Sequence, residues 1–106
     1  MRYNFLMDER AKGNINSPES IRERQIVWDA KAGDLTALAT IYDANVNRVY
    51  RYSLVRLGNS DDSADLTEKV FLKMLDVLPG FKDRDFPFIA WLMKITLDEV
   101  KGFAHS

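Results

Sequence analysis

A bundle of three to four α-helices is the fold this 106-residue sequence predicts, on three observations. Apolar residues return at intervals of three and four along four separate stretches, the spacing that gathers them on one side of a helix. The stretches are bounded by residues that start and stop helices: Ser17-Pro18, Gly33-Asp34, Gly58-Asn59, Pro79-Gly80 and Phe86-Pro87. No alternating strand pattern, internal repeat or low-complexity tract intervenes, so the class is all-α.

Residues 1–16 hold no sustained period and run into the turn-rich KGNINSP, so they read as an N-terminal arm preceding a domain over 17–106. Tyr3, Phe5, Leu6 and Met7 in that arm are candidates to dock back onto the domain. Ser17 as N-cap and Pro18 at the first helical position open a helix near 18–32, which carries Ile21, Ile26, Val27 and Trp28. Gly33 stops it, and Asp34 can cap the next.

The second helix is the longest, about 35 Å at 1.5 Å per residue. Leu35, Leu38, Ile41, Tyr42, Val46, Val49, Tyr50, Leu54 and Leu57 form its apolar stripe, and Gly58-Asn59 closes it. The cluster NSDDSAD then offers several N-caps and places acids where the helix dipole favours them, opening a third helix from about 62 to 78. Pro79-Gly80 ends it. Phe86-Pro87 opens a fourth, with Phe88, Leu92, Ile95, Val100 and Phe103 expected to face inward.

Composition narrows the chemistry. There is no cysteine, so neither a disulfide framework nor thiolate catalysis is available, and the single histidine, His105, makes a metal site improbable. The carboxylate pairs Asp61/Asp62 and Asp98/Glu99 are consecutive and diverge on a helix, and no glycine-rich phosphate loop or nucleophile motif occurs. The expectation is a protein that is not an enzyme, with no cofactor, no small-molecule substrate and no membrane partner. The start, MRYNFLMDER, reads neither as a signal peptide nor as a spanning segment, so a cytoplasmic location is expected. A net charge of -1 argues against broad phosphate binding, but the charge is divided by region. Asp61, Asp62, Asp65, Glu68 and Asp76 outnumber Lys69 and Lys73, whereas Arg48, Arg51 and Arg56 outnumber Asp34 and Asp43.

Several spaced signatures occur in order: Ala-Gly-Asp before the long helix, Ile-Tyr-Asp, Tyr-Arg-Tyr, Leu-Gly-Asn, Asp-Leu-Thr ahead of Val-Phe, Leu-Pro-x-Phe, and Phe-x-x-Trp-Leu. Over roughly 18–104 the chain resembles region 2 of the sigma-70 family, most of all the extracytoplasmic-function type. That resemblance implies the helical bundle of sigma region 2, which docks on the clamp helices of the RNA polymerase β′ subunit and opens the promoter -10 element. It assigns Asp65, Glu68, Lys69, Leu72 and Asp76, on the polar side of the third helix, to polymerase binding. From the residues alone the same face reads sooner as solvated helix with i,i+4 pairs such as Asp65 and Lys69, and it is the resemblance that turns the reading toward docking.

The resemblance also assigns LPGFKDRDFPF to the loop that captures a base flipped from the -10 strand, which is mainly single-stranded there. Phe81 or Phe86 would line that pocket, with Lys82 and Arg84 on phosphates. Phe88 and Trp91, at core spacing, read as packing residues. Departures accompany the matches. Lys69 stands where the family has a glutamate, and Leu97, Asp98, Gly102 and His105 stand at positions of polar and cationic DNA contacts. Lys94 and Lys101 remain as the phosphate ligands of the fourth helix. Two functions follow as expectations: transcription initiation through polymerase and -10 DNA, or a sigma-like decoy that binds an anti-sigma factor or polymerase without productive DNA contact. A complete factor of this type carries a further helix-turn-helix domain, region 4, and the sequence reads as region 2 alone, with region 4 absent.

Overall fold

The computed structural model describes residues 18–82 and 87–104. They form four α-helices: α1 (Pro18–Lys31), α2 (Leu35–Leu57), α3 (Ser60–Val77) and α4 (Phe88–Ala104), with a short 3-10 turn at Leu78–Gly80. No strand occurs among the described residues, so the all-α bundle expected from the periodicity is the fold. The expected N-cap Ser17, the arm over 1–16 and His105 lie outside the described residues.

Local chemistry sets the corners. Gly33 takes φ 96°, a left-handed conformation open to glycine, and turns the chain from α1 into α2. Asp34 then caps α2, its carboxylate accepting from the Thr36 and Ala37 amides at 2.9 and 3.2 Å. Gly58 sits at φ 69° and its N–H donates to the Leu54 carbonyl, so only Gly58 and Asn59 separate α2 from α3. The Asn59 side chain accepts from the Asp62 amide at 2.8 Å, which starts α3 at Ser60, two residues before the expected position. Each such cap is worth about 1 kcal/mol. Residues 88–104 begin the last helix just after Pro87, whose carbonyl accepts from the Trp91 amide.

α2 packs on all three other helices, and α3 lies between α2 and α4, packing on both. The core joins Val27 and Ala30 of α1, Ile41 and Val49 of α2, Leu66, Val70 and Met74 of α3, and Leu92 of α4. Ser53, Ser63, Thr67 and Thr96 are also buried. Each hydroxyl donates to the carbonyl four residues back, namely those of Val49, Asn59, Ser63 and Leu92. Small side chains at these places let helices approach closely, and the back-bonds leave no buried side-chain polar atom unsatisfied among the described residues.

Four expected stripe members do not reach this core. Ile21 and Trp28 are 51% and 69% exposed, and Leu35 and Tyr42 are 78% and 45% exposed. α1 packs chiefly on one neighbour, so only a narrow strip through Val27 and Ala30 is covered; Ile21 and Trp28 lie about 100° round the helix from Val27. Tyr42 leans outward with its ring edge-on to Phe71, centroids 4.9 Å apart.

This division predicts opposite responses to truncation. Leu92→Ala, at a position with no exposed surface, should cost about 2–5 kcal/mol and lower the melting temperature by many degrees. Leu35→Ala should leave thermal melting followed by circular dichroism almost unchanged.

Candidate functional site

The outer side of α3 is a surface with few internal commitments. Asp65, Glu68, Lys69, Leu72 and Asp76 are all exposed and recur at helical spacing, turned away from the buried Leu66, Val70 and Met74. Among the described residues none of their charged groups makes a hydrogen bond or ion pair, so Asp65 and Lys69 do not pair across one turn. Two large apolar residues interrupt the acids: Leu72 at 59% and Leu75 at 46% exposure. Leu75 was not anticipated from the sequence, although its position three residues after Leu72 places it on the same side.

Beyond α3 the chain enters an aromatic cluster. Phe81 is 2% exposed. Its ring meets Phe88 edge-on at 5.5 Å between centroids and Trp91 at 4.9 Å, and Phe88 and Trp91 are themselves 5.5 Å apart. Phe81, expected from the sequence as a candidate to line an open pocket, is buried here and packs as a core anchor. Phe88 and Trp91 are packing residues, as their spacing predicts. The partner proposed beside Phe81, Phe86, lies outside the described residues, as does Arg84.

Lys31, in the last turn of α1, donates from Nζ to the Phe81 carbonyl across fifty residues of sequence. No local signal betrays this tether, because it joins groups fifty residues apart in sequence. Lys82 follows immediately and is exposed.

On α4, Lys94 and Lys101 are exposed and seven residues apart, on one side of the helix, with Asp98 between them. Lys94 Nζ lies 3.0 Å from an Asp98 carboxylate oxygen, with the two side chains 67% and 56% exposed. An ion pair this open adds little to stability, about 0–1 kcal/mol, but it offsets the lysine's charge locally. On α2, Arg48, Arg51 and Arg56 are exposed, and the Arg56 guanidinium stacks 3.6 Å from the centroid of Tyr52. A separate groove of about 310 Å³ between α1 and α2, floored by Ile26, Ile41 and Phe88, contains none of the sequence-predicted site residues. No three His, Cys, Asp or Glu side chains among the described residues are grouped to hold a metal ion, and no helix among them is long and apolar enough to cross a membrane.

These faces define an all-α domain whose charged side chains are displayed on outer helix surfaces instead of being gathered in a cleft. Residues 41–103 match the family model described as Sigma-70 region 2, and the chain belongs to that family. It is 35% identical over 88 residues to the ECF RNA polymerase sigma factor BldN of Streptomyces coelicolor, covering 83% of this chain and 33% of that protein. It is 33% identical over 79 residues to the ECF RNA polymerase sigma factor SigD of Mycobacterium tuberculosis and of Mycobacterium bovis, covering 71% of this chain and 37% of each. The chain thus spans about one third of the length of these curated relatives. No solved structure matches it.

The Lys31 tether has a measurable consequence. Lys31→Met keeps the aliphatic stem and removes the donor, which should cost about 1 kcal/mol of unfolding free energy by denaturant titration. Hydrogen exchange of the Phe81 amide, which donates to Leu78 O at 3.0 Å, should quicken in the same variant.

Proposed function

We propose that this chain acts in transcription initiation, as a sigma region 2 domain that binds core RNA polymerase through α3 and single-stranded -10 promoter DNA through the segment at Lys82 and the outer side of α4. The observation that carries the reading is the unpaired α3 face. Asp65, Glu68 and Asp76 surround Leu72 without internal partners, the pattern of a docking surface with an apolar centre and a charged rim. Family membership directs this face toward the β′ clamp helices, with Asp65, Glu68, Lys69, Leu72 and Asp76 as contacts. Lys82, Lys94 and Lys101 are the described cations assigned to DNA, with Arg84 and Phe86 joining them in the same segment. The work is recognition, not catalysis, and its setting is the cytoplasm.

A second reading has its own support. Asp98 engages Lys94 and stands between the two lysines of α4, which weakens that helix as a phosphate ligand. A sigma-like interaction module, binding an anti-sigma factor or polymerase without productive promoter contact, fits this charge pattern.

A pull-down with purified core polymerase tests the first reading. Asp65→Arg should weaken capture about tenfold or more if the carboxylate is desolvated against a basic partner, with helicity and melting unchanged. Capture equal to the unmodified chain would remove α3 from the interface.

Salt titration of single-stranded DNA binding separates the two readings. Lys82→Ala should flatten the dependence of log affinity on log salt by about 0.7 and Asp98→Asn should steepen it by a similar amount, as one phosphate contact is lost or gained. DNA binding at background for the unmodified chain, with polymerase capture intact, would select the interaction module.

A further inference from the structure

We infer that Trp28 is a stacking platform for an unpaired base, a nucleic-acid contact on α1 that lies outside the loop and α4. The inference rests on the DNA-binding reading above and deepens it. Trp28 is 69% exposed, whereas α1 makes its contribution to the core through Val27 and Ala30. The indole is therefore not needed to hold the helix in place. The second tryptophan, Trp91, shows the contrast, being packed against Phe81 and Phe88.

The charges around Trp28 indicate which partner its ring would meet. At about 100° per residue, Arg24 and Lys31 fall within roughly 60° of Trp28 round the helix, while Glu19, Glu23 and Asp29 fall about 100° or more away. Asp29 is in addition engaged by the Gln25 side-chain amide at 2.9 Å. The indole thus lies on a cationic side of an otherwise mixed helix. Lys31 bonds the Phe81 carbonyl, which brings this end of α1 to the chain segment continued by the exposed Lys82. An exposed aromatic face bracketed by cations matches a polymer of stacked bases and phosphates: the ring takes a base, and the cations take the backbone on either side.

The test uses the full chain and a mixed-sequence single-stranded oligodeoxynucleotide as probe, with and without core polymerase, and the Trp28→Ala variant as the blank that isolates the Trp28 emission. Titration should quench Trp28 fluorescence. Trp28→Ala should weaken binding by about fivefold or more, the low end of base–aromatic stacking, while leaving the salt slope unchanged because no charge is removed. Trp28→Phe should restore most of the affinity. Circular dichroism should show both variants folded, since the side chain is outside the core. If Trp28→Ala binds like its parent while Lys82→Ala is weakened, the stacking role is overturned and the DNA-binding reading stands. If Trp28→Ala loses polymerase capture and keeps DNA affinity, Trp28 is a protein contact and the inference also fails. Absence of DNA binding by the unmodified chain, alone and with polymerase, overturns both.

Discussion

The packing of Phe81 between Phe88 and Trp91 is the constraint on which the interaction surfaces depend. It pins the exit from α3 to the entry of α4, so that the chain leaves the core at Lys82 and re-enters it at Phe88. Three ring contacts within 5.5 Å add about 0.5–1.5 kcal/mol each beyond the area they bury. Lys31 completes the anchor from the opposite side by binding the Phe81 carbonyl. One buried ring thereby relates α1, α3 and α4, which carry the three faces assigned to partners. Loosening it would blur the register between them even if every helix survived.

Around that anchor the bundle keeps polar groups out of its inner surfaces by a consistent device. Where α2, α3 and α4 bury small polar residues, the hydroxyls of Ser53, Thr67 and Thr96 bond within their own helices. Among the described residues, the buried Ser and Thr hydroxyls need no neighbouring helix to satisfy them. The charged residues of α3 can then remain on its outer side without internal partners, because the stability of α3 comes from Leu66, Val70 and Met74 and from the Asn59 cap. The core and the face proposed for docking are opposite sides of one helix, so a change on one need not disturb the other.

The helix count, the two glycine corners and the Asp34 cap were legible in the sequence, because each is fixed by interactions within a few residues. The α3 face was legible as a pattern too, since Asp65, Glu68, Lys69, Leu72 and Asp76 alternate in angle with an unambiguous apolar stripe. What escaped was set by neighbours distant in sequence. The stripe of α1 looked broad because Ile21, Ile26, Val27 and Trp28 are all apolar, yet a helix packed chiefly on α2 covers only part of that arc. Phe81 follows a proline-glycine pair, where no helical period extends to announce burial. Among the several capping residues of NSDDSAD, Asn59 was selected by Gly58, whose left-handed backbone brings that side chain to the Asp62 amide.

The balance between polymerase and DNA binding turns on where the cations are. α3 presents an acid-rich surface with an apolar centre, and Lys69 reverses only one charge on it, so its complementarity to a basic partner survives. α4 is different. Asp98 is four residues from Lys94 and three from Lys101, close enough to face both, and it bonds the first. A strand lying on that helix must either displace the carboxylate or take its phosphates to Lys82 and the C-terminal side of α1. On the proposed reading, the cationic side of α1, with Arg24 and Lys31 flanking an exposed indole, supplies what α4 lacks, and Lys31 joins it to Phe81. On the proposed reading, the DNA-binding surface extends from the outer side of α4 onto α1 and meets the Phe81 anchor through Lys31.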